Sequence, residues 1–276
     1  MFRHALTTIA GEPASRLGLA AYPDQQEACA RTAFRGGVNY FFFYSIGQQS
    51  VIRGLRPLLR RSREQIIVAT GTGSRNRKGL DRVRRQLGRA VGLETLDVFF
   101  AEYVEAHANP REIFGRDGVL AVLAEWKAAG LIRYAGATTH DRGLARRLID
   151  SGQIDVLMLR FNMAHRKAAD AVFPAARRAG VPIIAFTATR WRTLLAGHPD
   201  WDQPAPTATD CYRYCLSQPA VRIVLTAPST TRQARENLTA LATRPFGRRQ
   251  TATWNAYGNL VYGDGHGRFD TQGQGP

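Results

Sequence analysis

Eight short apolar segments alternate with segments of helical periodicity along most of the chain. The predicted strands are Arg16–Ala20, Val38–Phe43, Gln65–Thr70, Thr95–Ala101, Tyr134–Ala137, Val156–Arg160, Pro182–Phe186 and Ile223–Leu225. Several are apolar without alternation, which is typical of parallel strands that are buried on both faces. Eight such strands separated by helices predict a single closed (β/α)8 barrel of the α/β class, the TIM-barrel architecture. The length of 276 residues suits one domain of this kind.

The segments between these strands predict the helices, and several of them end at a glycine that suits a helix C-cap. The predicted helices are Asp24–Arg35, Leu80–Val91, Gly118–Ala129, Arg142–Ser151, Ala168–Ala179 and Thr231–Leu241. After Leu241 the chain becomes rich in glycine and aromatic residues. We therefore predict a barrel over residues 1–241 and a C-terminal wrapping tail over residues 242–276, with mobility in about its last ten residues.

Charge and hydropathy limit the classes of partner. The chain has 38 Lys and Arg against 22 Asp and Glu, a net charge of +16. Such a charge attracts anions, but the basic residues are spread over many predicted helices. They form no stripe interleaved with aromatic residues, as a nucleic-acid-binding surface would require. No apolar run reaches the roughly 20 residues that span a bilayer. We expect a small-molecule substrate, not nucleic acid or a membrane.

The chain shows no pattern typical of a secreted or metal-binding protein. Its three cysteines are Cys29, Cys211 and Cys215, which have no metal-ligand spacing. The histidines are far apart in the sequence and have no paired carboxylate motif. The N-terminus lacks the apolar segment and cleavage site of a secretory signal. These features predict a cytoplasmic protein without a bound metal.

Seven short phrases lie at the strand–helix joints of the predicted barrel. They are Ala14–Leu19, Gly37–Phe41, Leu93–Phe100, Trp126–Gly136, Asp155–Asn162, Thr193–Gly197 and Arg235–Leu238. In this order and at this spacing they resemble the aldo-keto reductase family. A second set of phrases resembles a divergent branch of that family: Arg160–Arg166, Thr187–Trp191, Asp210–Tyr214 and Tyr257–Gly263. The resemblance implies a (β/α)8 barrel that acts on a small organic molecule.

The resemblance also implies a catalytic tetrad of Asp, Tyr, Lys and His at the C-terminal ends of the strands. In the family, the tyrosine protonates a carbonyl group that receives a hydride from a nicotinamide cofactor. On this sequence the aspartate falls at Phe42, the lysine at Gly71 and the histidine at Glu102. The tyrosine belongs to a loop that is shorter here, and Tyr44 is the nearest tyrosine. The tetrad is therefore predicted to be missing, and standard carbonyl reduction is not supported.

Glu102 is the replacement with the clearest chemical potential. A carboxyl group in an apolar pocket has a raised pKa and can act as a general acid or base near neutral pH. The resemblance offers a partial parallel, since a glutamate also replaces the histidine in steroid double-bond reductases of the family, which keep the tyrosine and the lysine. An ion pair with a nearby arginine is the structural alternative. Neighbouring strand residues point in opposite directions, so the sequence leaves open whether Tyr103 also reaches the pocket.

Other residues at the predicted strand ends complete the candidate site. The predicted catalytic residues are Glu102, Tyr103 and Tyr44. The predicted substrate pocket comprises Phe42, Phe43, Gly71, His140, Arg160, Asn162 and Trp191. His165 is a further polar residue at a predicted strand end. A histidine that hydrogen-bonds to a backbone carbonyl is the structural alternative for each imidazole.

The resemblance implies an NADP(H) site that this sequence matches only in part. Thr138 and Thr139 stand where a Ser–Asn type pair binds the carboxamide, and Phe186 replaces the tyrosine that stacks on the nicotinamide. The remaining predicted cofactor residues are Thr187, Arg190, Arg232, Glu236 and Asn237. The family's glutamine falls at Met158, which cannot form comparable hydrogen bonds.

Three hypotheses about function follow. The first is an enzyme with a rebuilt site that performs a dehydration, isomerisation or cyclisation, with Glu102 transferring the proton and Arg160 or Arg190 orienting an anionic substrate. The second is an NADP(H)-dependent oxidoreductase that reduces a carbonyl or activated double bond with a non-standard proton donor. The third is a non-catalytic binding protein. The sequence identifies neither the substrate nor the oligomeric state.

Overall fold

The eight predicted strands form a closed barrel in chain order. The computed structural model of the chain describes residues 5–263. The strands are β1 (Leu17–Ala20), β2 (Tyr40–Phe42), β3 (Ile67–Thr72), β4 (Leu96–Ala101), β5 (Ile132–Thr138), β6 (Val156–Arg160), β7 (Ile183–Phe186) and β8 (Val221–Thr226). Each strand is parallel to the next, and β8 closes the barrel against β1. The predicted (β/α)8 barrel is confirmed.

Ten α-helices occur among the described residues. They are α1 (Ala28–Arg35), α2 (Gln49–Ser62), α3 (Arg77–Val91), α4 (Pro110–Phe114), α5 (Val119–Ala128), α6 (Arg142–Asp150), α7 (Ala168–Ala179), α8 (Ala208–Leu216), α9 (Thr231–Ala242) and α10 (Arg248–Tyr262). None of them combines the length and the apolar character that crossing a membrane requires. Helix α2 is not among the helices named from the sequence; it contains Pro57, and proline is unfavourable in a helix interior.

The strands place alternate side chains in two separate apolar layers. Inside the barrel, the lumen is filled by residues such as Tyr40, Phe42 and Phe100, which are fully buried. The second layer lies between the strands and the surrounding helices and contains Phe43. The sequence prediction that Phe43 lines the pocket is therefore wrong: it lies one residue after Phe42 and points to the opposite side of the barrel wall.

Helix α10 lies within the segment that the sequence assigns to a wrapping tail. A Cβ atom at Gly258 would lie only 2.0 Å from the carbonyl oxygen of Met163, so the helix backbone touches the loop after β6. The Tyr257 hydroxyl donates to the carbonyl of Leu194 at 2.7 Å. The guanidinium of Arg190 donates to the carbonyl of Val261. These contacts fix α10 beside the C-terminal mouth of the barrel. The ten residues that were predicted to be mobile lie outside the described residues.

Candidate functional site

Glu102 is a buried carboxyl group at the C-terminal mouth of the barrel. It directly follows β4, and its backbone N–H donates to the carbonyl of Thr72 at 3.0 Å. The residue is 4% exposed, and its Oε1 atom has no hydrogen-bond partner. Burial raises the pKa of Glu102 from 4.5 to about 8, although the Arg75 guanidinium acts in the opposite direction. The carboxyl group is therefore mainly protonated at neutral pH.

Gly71 provides the space that the Glu102 side chain occupies. A Cβ atom at this position would lie 2.4 Å from the carbonyl oxygen of Phe100 and 2.8 Å from Cγ of Glu102. Both distances are shorter than a non-bonded contact of a Cβ atom allows, and one of the two contacting atoms belongs to the backbone. No larger residue, lysine included, fits at position 71 while Glu102 and Phe100 keep their places.

Two tyrosines form an aromatic wall beside Glu102. The Tyr44 ring lies 4.6 Å from the Phe42 ring in an edge-on arrangement and stacks on the Tyr103 ring at 6.3 Å. Burial, with further contributions from Tyr103 and Glu102, raises the pKa of Tyr44 far above its ordinary value. No cation in the described part of the chain lowers it, unlike the lysine-assisted tyrosine that the resemblance implies. Tyr44 is therefore a poor proton donor at neutral pH.

Tyr103 also reaches the mouth, which answers the question that strand alternation left open. The chain has left β4, and Tyr103 adopts a left-handed φ of 49°. Its N–H donates to Oγ1 of Thr138 at 2.8 Å, and its carbonyl accepts from the Arg75 guanidinium at 3.0 Å. Arg75 also donates to the Glu102 carbonyl at 2.5 Å. The side chain of Tyr103 is 47% exposed and forms part of the rim.

The opposite side of the mouth is cationic because it contains Arg160 and Arg190, which lie near two histidines. The His140 ring lies 5.3 Å from Phe186, and its Nδ1 atom is buried without a hydrogen-bond partner. Burial, followed by the charge of Arg160, lowers the pKa of His140 to about 4. Burial also lowers the pKa of His165 to about 3, with Arg160, Arg190 and His140 adding to the effect. Both imidazoles are therefore neutral at physiological pH.

Asn162 was predicted to line the substrate pocket, but its amide is used within the loop after β6. The side chain is fully buried. Its Nδ2 donates to the carbonyl of Thr187 at 2.9 Å. Its Oδ1 accepts from the N–H groups of Ala164 at 3.0 Å and His165 at 2.9 Å. Asn162 therefore holds His165 in place and does not offer its amide to a substrate.

The loop after β7 borders the mouth and contains unusual backbone conformations. Arg190, Trp191 and Arg192 follow one another with φ values of 49°, 50° and 72°, and Thr187 has a φ of 53°. Residues other than glycine seldom adopt this region, and they cluster at functional sites. Trp191, which the sequence assigns to the substrate pocket, is 48% exposed in this loop.

The side chains that the resemblance assigns to a cofactor are largely engaged within the chain. Thr138 accepts from the Tyr103 N–H, and Thr139 Oγ1 accepts from the Asp141 N–H at 3.1 Å. The Thr187 hydroxyl donates to the Phe186 carbonyl at 2.8 Å. These three hydroxyl groups shape the loops around the mouth, and Phe186 contributes an aromatic ring that is 9% exposed.

The predicted adenine-side residues lie on α9. Asn237 is 6% exposed, and its Nδ2 donates to Oγ1 of Thr226 at 2.6 Å. The Thr226 hydroxyl in turn donates to the Tyr212 hydroxyl at 2.9 Å. Arg232 and Glu236 form an exposed ion pair with an N–O distance of 3.7 Å. Asn237 therefore connects α9 to the barrel wall, whereas Arg232 and Glu236 lie on the surface.

Sequence reasoning gave no role to Arg75 or Tyr262, and it named His165 only as a polar residue. Arg75 lies in the loop after β3 and contacts the site through backbone carbonyls, which leave no signal in a sequence. The Tyr262 ring lies 5.3 Å from the His165 ring, edge-on to it. Among residues 5–263, no group of three His, Cys, Asp or Glu side chains has an arrangement that could hold a metal ion.

Comparison with known proteins identifies the family. The family model described as "Aldo/keto reductase family" matches residues 20–199. The chain belongs to the aldo-keto reductase family. The barrel is similar to the aldo-keto reductase AKR11C1 from Bacillus halodurans. The holo form superposes with a TM-score of 0.75 at 16% identity, covering 94% of this chain and 95% of that chain.

The apo form of the same Bacillus halodurans protein gives a TM-score of 0.72 at 16% identity, covering 93% of this chain and 96% of that chain. At this identity the likeness shows a shared fold. The comparison with curated proteins finds no match. The chemistry of this aldo-keto reductase family member must therefore be argued from its own side chains.

Proposed function

We propose that this aldo-keto reductase family member is an enzyme that performs acid–base chemistry on a small anionic molecule, with Glu102 as the proton donor. One observation carries the proposal: a buried carboxyl group with an unpartnered oxygen at the C-terminal mouth of a (β/α)8 barrel. Catalytic groups of this architecture lie at that end of the barrel. With a pKa of about 8, Glu102 holds its proton at neutral pH and can release it to a substrate.

The surroundings of Gly71 and Tyr44 support a site without the standard tetrad. A lysine at position 71 would collide with the Phe100 carbonyl and with Glu102. Without that lysine, burial keeps the pKa of Tyr44 high, so the tyrosine cannot protonate a carbonyl as it does in the family. Glu102 is the buried group nearby whose pKa suits proton transfer at neutral pH.

The cationic side of the mouth favours an anionic substrate. Arg160 and Arg190 lie close enough to His165 to lower its pKa, and Arg160 acts on His140 in the same way. Guanidinium groups bind carboxylate or phosphate through paired hydrogen bonds. A substrate whose anionic group faces this side would present its remaining atoms to Glu102 and the aromatic wall.

In the proposed reaction, the neutral carboxyl of Glu102 gives its proton to an oxygen of the substrate. Protonation of a hydroxyl group lets it leave as water, whereas protonation of a carbonyl oxygen produces an enol. Dehydration, isomerisation and cyclisation all include one of these steps. The buried position favours the neutral acid before the transfer, and the Arg75 charge stabilises the carboxylate after it.

The residues that correspond to the family's nicotinamide site do not fit that cofactor well. Met158 is buried in the apolar lumen, where it offers no donor to a carboxamide. The oxygens of Thr138 and Thr139 accept backbone hydrogen bonds, and the Asn237 amide is bonded to Thr226. Phe186 alone keeps its expected role as an aromatic surface. No step of the proposed reaction uses a hydride.

The test is proton exchange with candidate substrates. The protein is incubated in D2O with a panel of small hydroxy- and keto-carboxylates, and deuterium incorporation or product formation is followed by NMR. Turnover by the wild type and its loss in Glu102→Gln support the proposal. Glu105→Gln is the matched control, because Glu105 lies three residues away with a half-exposed side chain. A Glu102→Gln variant as active as the wild type would remove Glu102 from the mechanism.

A second candidate is an NAD(P)H-dependent reductase in which Glu102 replaces the tyrosine as proton donor. Family membership and the Phe186 ring at the mouth favour it. Titration with NADPH, followed by tryptophan quenching and cofactor fluorescence, separates the two. Saturable binding in the micromolar range would contradict the cofactor-free mechanism. Absence of binding up to millimolar concentrations would contradict the reductase.

A further inference from the structure

A cleft lies at the N-terminal end of the barrel, opposite to the mouth that contains Glu102. It is bordered by the starts of three neighbouring strands, because Arg16, Pro182 and Ala220 line it and directly precede β1, β7 and β8. Helix α7 and the N-terminal segment around Leu6 form its other sides. The volume of the cleft is about 880 Å³, within the range of small-molecule pockets. The cleft can therefore hold a ligand of the size of a metabolite.

The residues that line this cleft include four arginines and no aspartate or glutamate. The arginines are Arg16, Arg177, Arg178 and Arg222. They come from three parts of the chain, namely the residue before β1, the last turn of α7 and strand β8. The lining also includes Gln218, whose side-chain amide makes no hydrogen bond with another described residue. The fold thus gathers positive charge and a neutral donor from segments that are distant in sequence.

Three of the four arginines have no carboxylate partner among the described residues. The side chains of Arg177 and Arg178 form no hydrogen bond or ion pair there. Burial, followed by the charge of Arg222, lowers the pKa of Arg16, and no acidic group in the described part of the chain counteracts this effect. The Arg16 Nη2 donates to the Leu216 carbonyl at 2.8 Å, which fixes the guanidinium in place. Arg222 has a further interaction within the chain, so the binding groups are the other three arginines.

One wall of the cleft is apolar and lies beside these cations. Phe173 and Pro174 of α7 line the cleft. Each lies four residues before an arginine of the cluster, Arg177 and Arg178 respectively. Residues four apart share one face of a helix. A ligand in the cleft would therefore meet guanidinium groups and an apolar surface on the same side of α7.

We propose that this cleft binds a phosphorylated small molecule, with its phosphate held by the arginines and its organic part against the apolar wall. Guanidinium groups bind phosphate oxygens through forked, charge-assisted hydrogen bonds. A phosphate monoester carries about 1.5 to 2 negative charges at neutral pH, so it neutralises more of the cluster than a carboxylate does. The site lies at the end of the barrel opposite to Glu102, and it is independent of the proposed acid–base function.

Calorimetric titration of the full 276-residue chain with phenyl phosphate tests the proposal, because this probe joins a phosphate group to an apolar ring. We expect saturable binding that is tighter than the binding of inorganic phosphate or benzoate. Arg177→Gln should weaken it by about 10-fold or more, as expected for a lost hydrogen bond between charged groups. The double variant Arg177→Gln/Arg178→Gln should weaken it further. Circular dichroism of each variant confirms that its fold is intact.

Arg82→Gln is the matched control for the loss of one positive charge. Arg82 is an exposed residue of α3, a helix that does not line the cleft, so the affinity should stay nearly unchanged. The net charge of +16 attracts any anion. Equal weakening by Arg177→Gln and Arg82→Gln, or no saturable binding at all, would therefore overturn the inference. Equal affinity for inorganic phosphate would overturn the assignment of the organic part to the apolar wall.

Hydrogen–deuterium exchange locates the bound probe. Phenyl phosphate should slow amide exchange in the last turn of α7 and in the residues directly before β8, since both border the cleft. Protection confined to residues 187–192 would place the anion at the C-terminal mouth and contradict the proposal. This result would leave the proposed acid–base function intact, so the two proposals can fail separately.

Discussion

Two buried carboxyl groups at opposite ends of β4 have opposite environments. Asp97 lies near the start of β4, where it forms ion pairs with Arg63 at 2.8 Å and Arg133 at 2.9 Å and accepts from the Val68 N–H at 2.8 Å. Glu102 follows the end of the same strand and has an oxygen without a partner. The difference shows that the buried carboxylate near the N-terminal end of β4 is paired and stabilises the barrel, whereas the carboxyl group at the C-terminal end keeps an oxygen without a partner, as the proposed chemistry requires.

The cost of burying a carboxylate explains both arrangements. A buried charge is tolerated when it is paired and hydrogen-bonded. Asp97 meets that condition with two guanidinium groups. Asp155, at the start of β6, is held similarly by the Lys127 ammonium at 2.6 Å and the Ala135 N–H at 2.9 Å. Glu102 avoids most of the cost by remaining protonated, and it therefore retains a proton to give.

The largest effect on stability is expected at Asp97. Asp97→Ala removes the carboxylate that pairs with two partly buried arginines and accepts from one backbone N–H, so the free energy of unfolding should fall by about 3–5 kcal/mol. Chemical denaturation measures the change. Glu27→Gln is the control: it breaks a half-exposed pair with Arg53, which is worth at most about 1 kcal/mol. Equal effects of the two substitutions would contradict the stabilising role of the Asp97 cluster.

The pH dependence of stability should reveal Glu102. Its pKa is raised from 4.5 to about 8, so the unfolded chain ionises before the folded one as the pH rises. The contribution of Glu102 to stability is therefore full below pH 4.5 and declines up to about pH 8. Glu102→Gln should flatten this decline. At higher pH the free energy of unfolding of the variant should exceed that of the wild type by up to about 5 kcal/mol, for a pKa raised from 4.5 to about 8 at about 1.4 kcal/mol per pKa unit. Denaturant midpoints across the pH range test this, and parallel wild-type and variant curves would disprove the shift.

A smaller effect is expected at Gly71. Gly71→Ala forces the new methyl group against the Phe100 carbonyl and Cγ of Glu102, and overpacking of this kind costs about 1–3 kcal/mol. Gly73→Ala is a close control, because a Cβ atom at that position meets nothing within 4 Å. Thermal unfolding should separate the two variants. If Gly71→Ala is as stable as Gly73→Ala, Glu102 is not held by the close approach of β3.

The smallest effect should come from Thr138. Thr138→Val removes the acceptor for the Tyr103 N–H while keeping the shape of the side chain. One lost hydrogen bond corresponds to about 1 kcal/mol. The consequence should be local: faster amide exchange at Tyr103, with the Ala101 amide unchanged. Faster exchange along all of β4 would indicate that Thr138 supports the barrel as a whole and not the rim alone.

The sequence predicted the barrel well because its strands are buried on both faces. Every predicted strand overlaps an observed one, because short unbroken apolar runs such as that of β6 are typical of buried strands. Helices were harder to predict. The helices named from the sequence omit α2, which contains Pro57, and α10, which contains Gly258 within a segment rich in glycine and aromatic residues. In both helices tertiary contacts outweigh a locally unfavourable residue.

From the sequence, the candidate site residues could be assigned to the C-terminal ends of individual strands. Glu102 could be singled out because the family resemblance places the catalytic histidine at this position, directly after a buried strand. Phe43 was misplaced, although the spacing of Tyr40, Phe42 and Tyr44 already indicated which residues share a side of the strand. The roles of Asn162 and Asn237 as internal braces depend on contacts between elements that are distant in sequence, and no local pattern reports such contacts.

The close approach at Gly71 also governs the order in which this protein could change. A single substitution to lysine meets the Glu102 side chain and the Phe100 backbone together. Shortening residue 102 first would relieve one of these collisions, but it would remove the proton donor before any replacement exists. The two positions are thus expected to be epistatic, because either order of substitution passes through a variant that has the collision at position 71 or lacks the proposed proton donor. The packing of one glycine therefore makes the present chemistry difficult to reverse one substitution at a time.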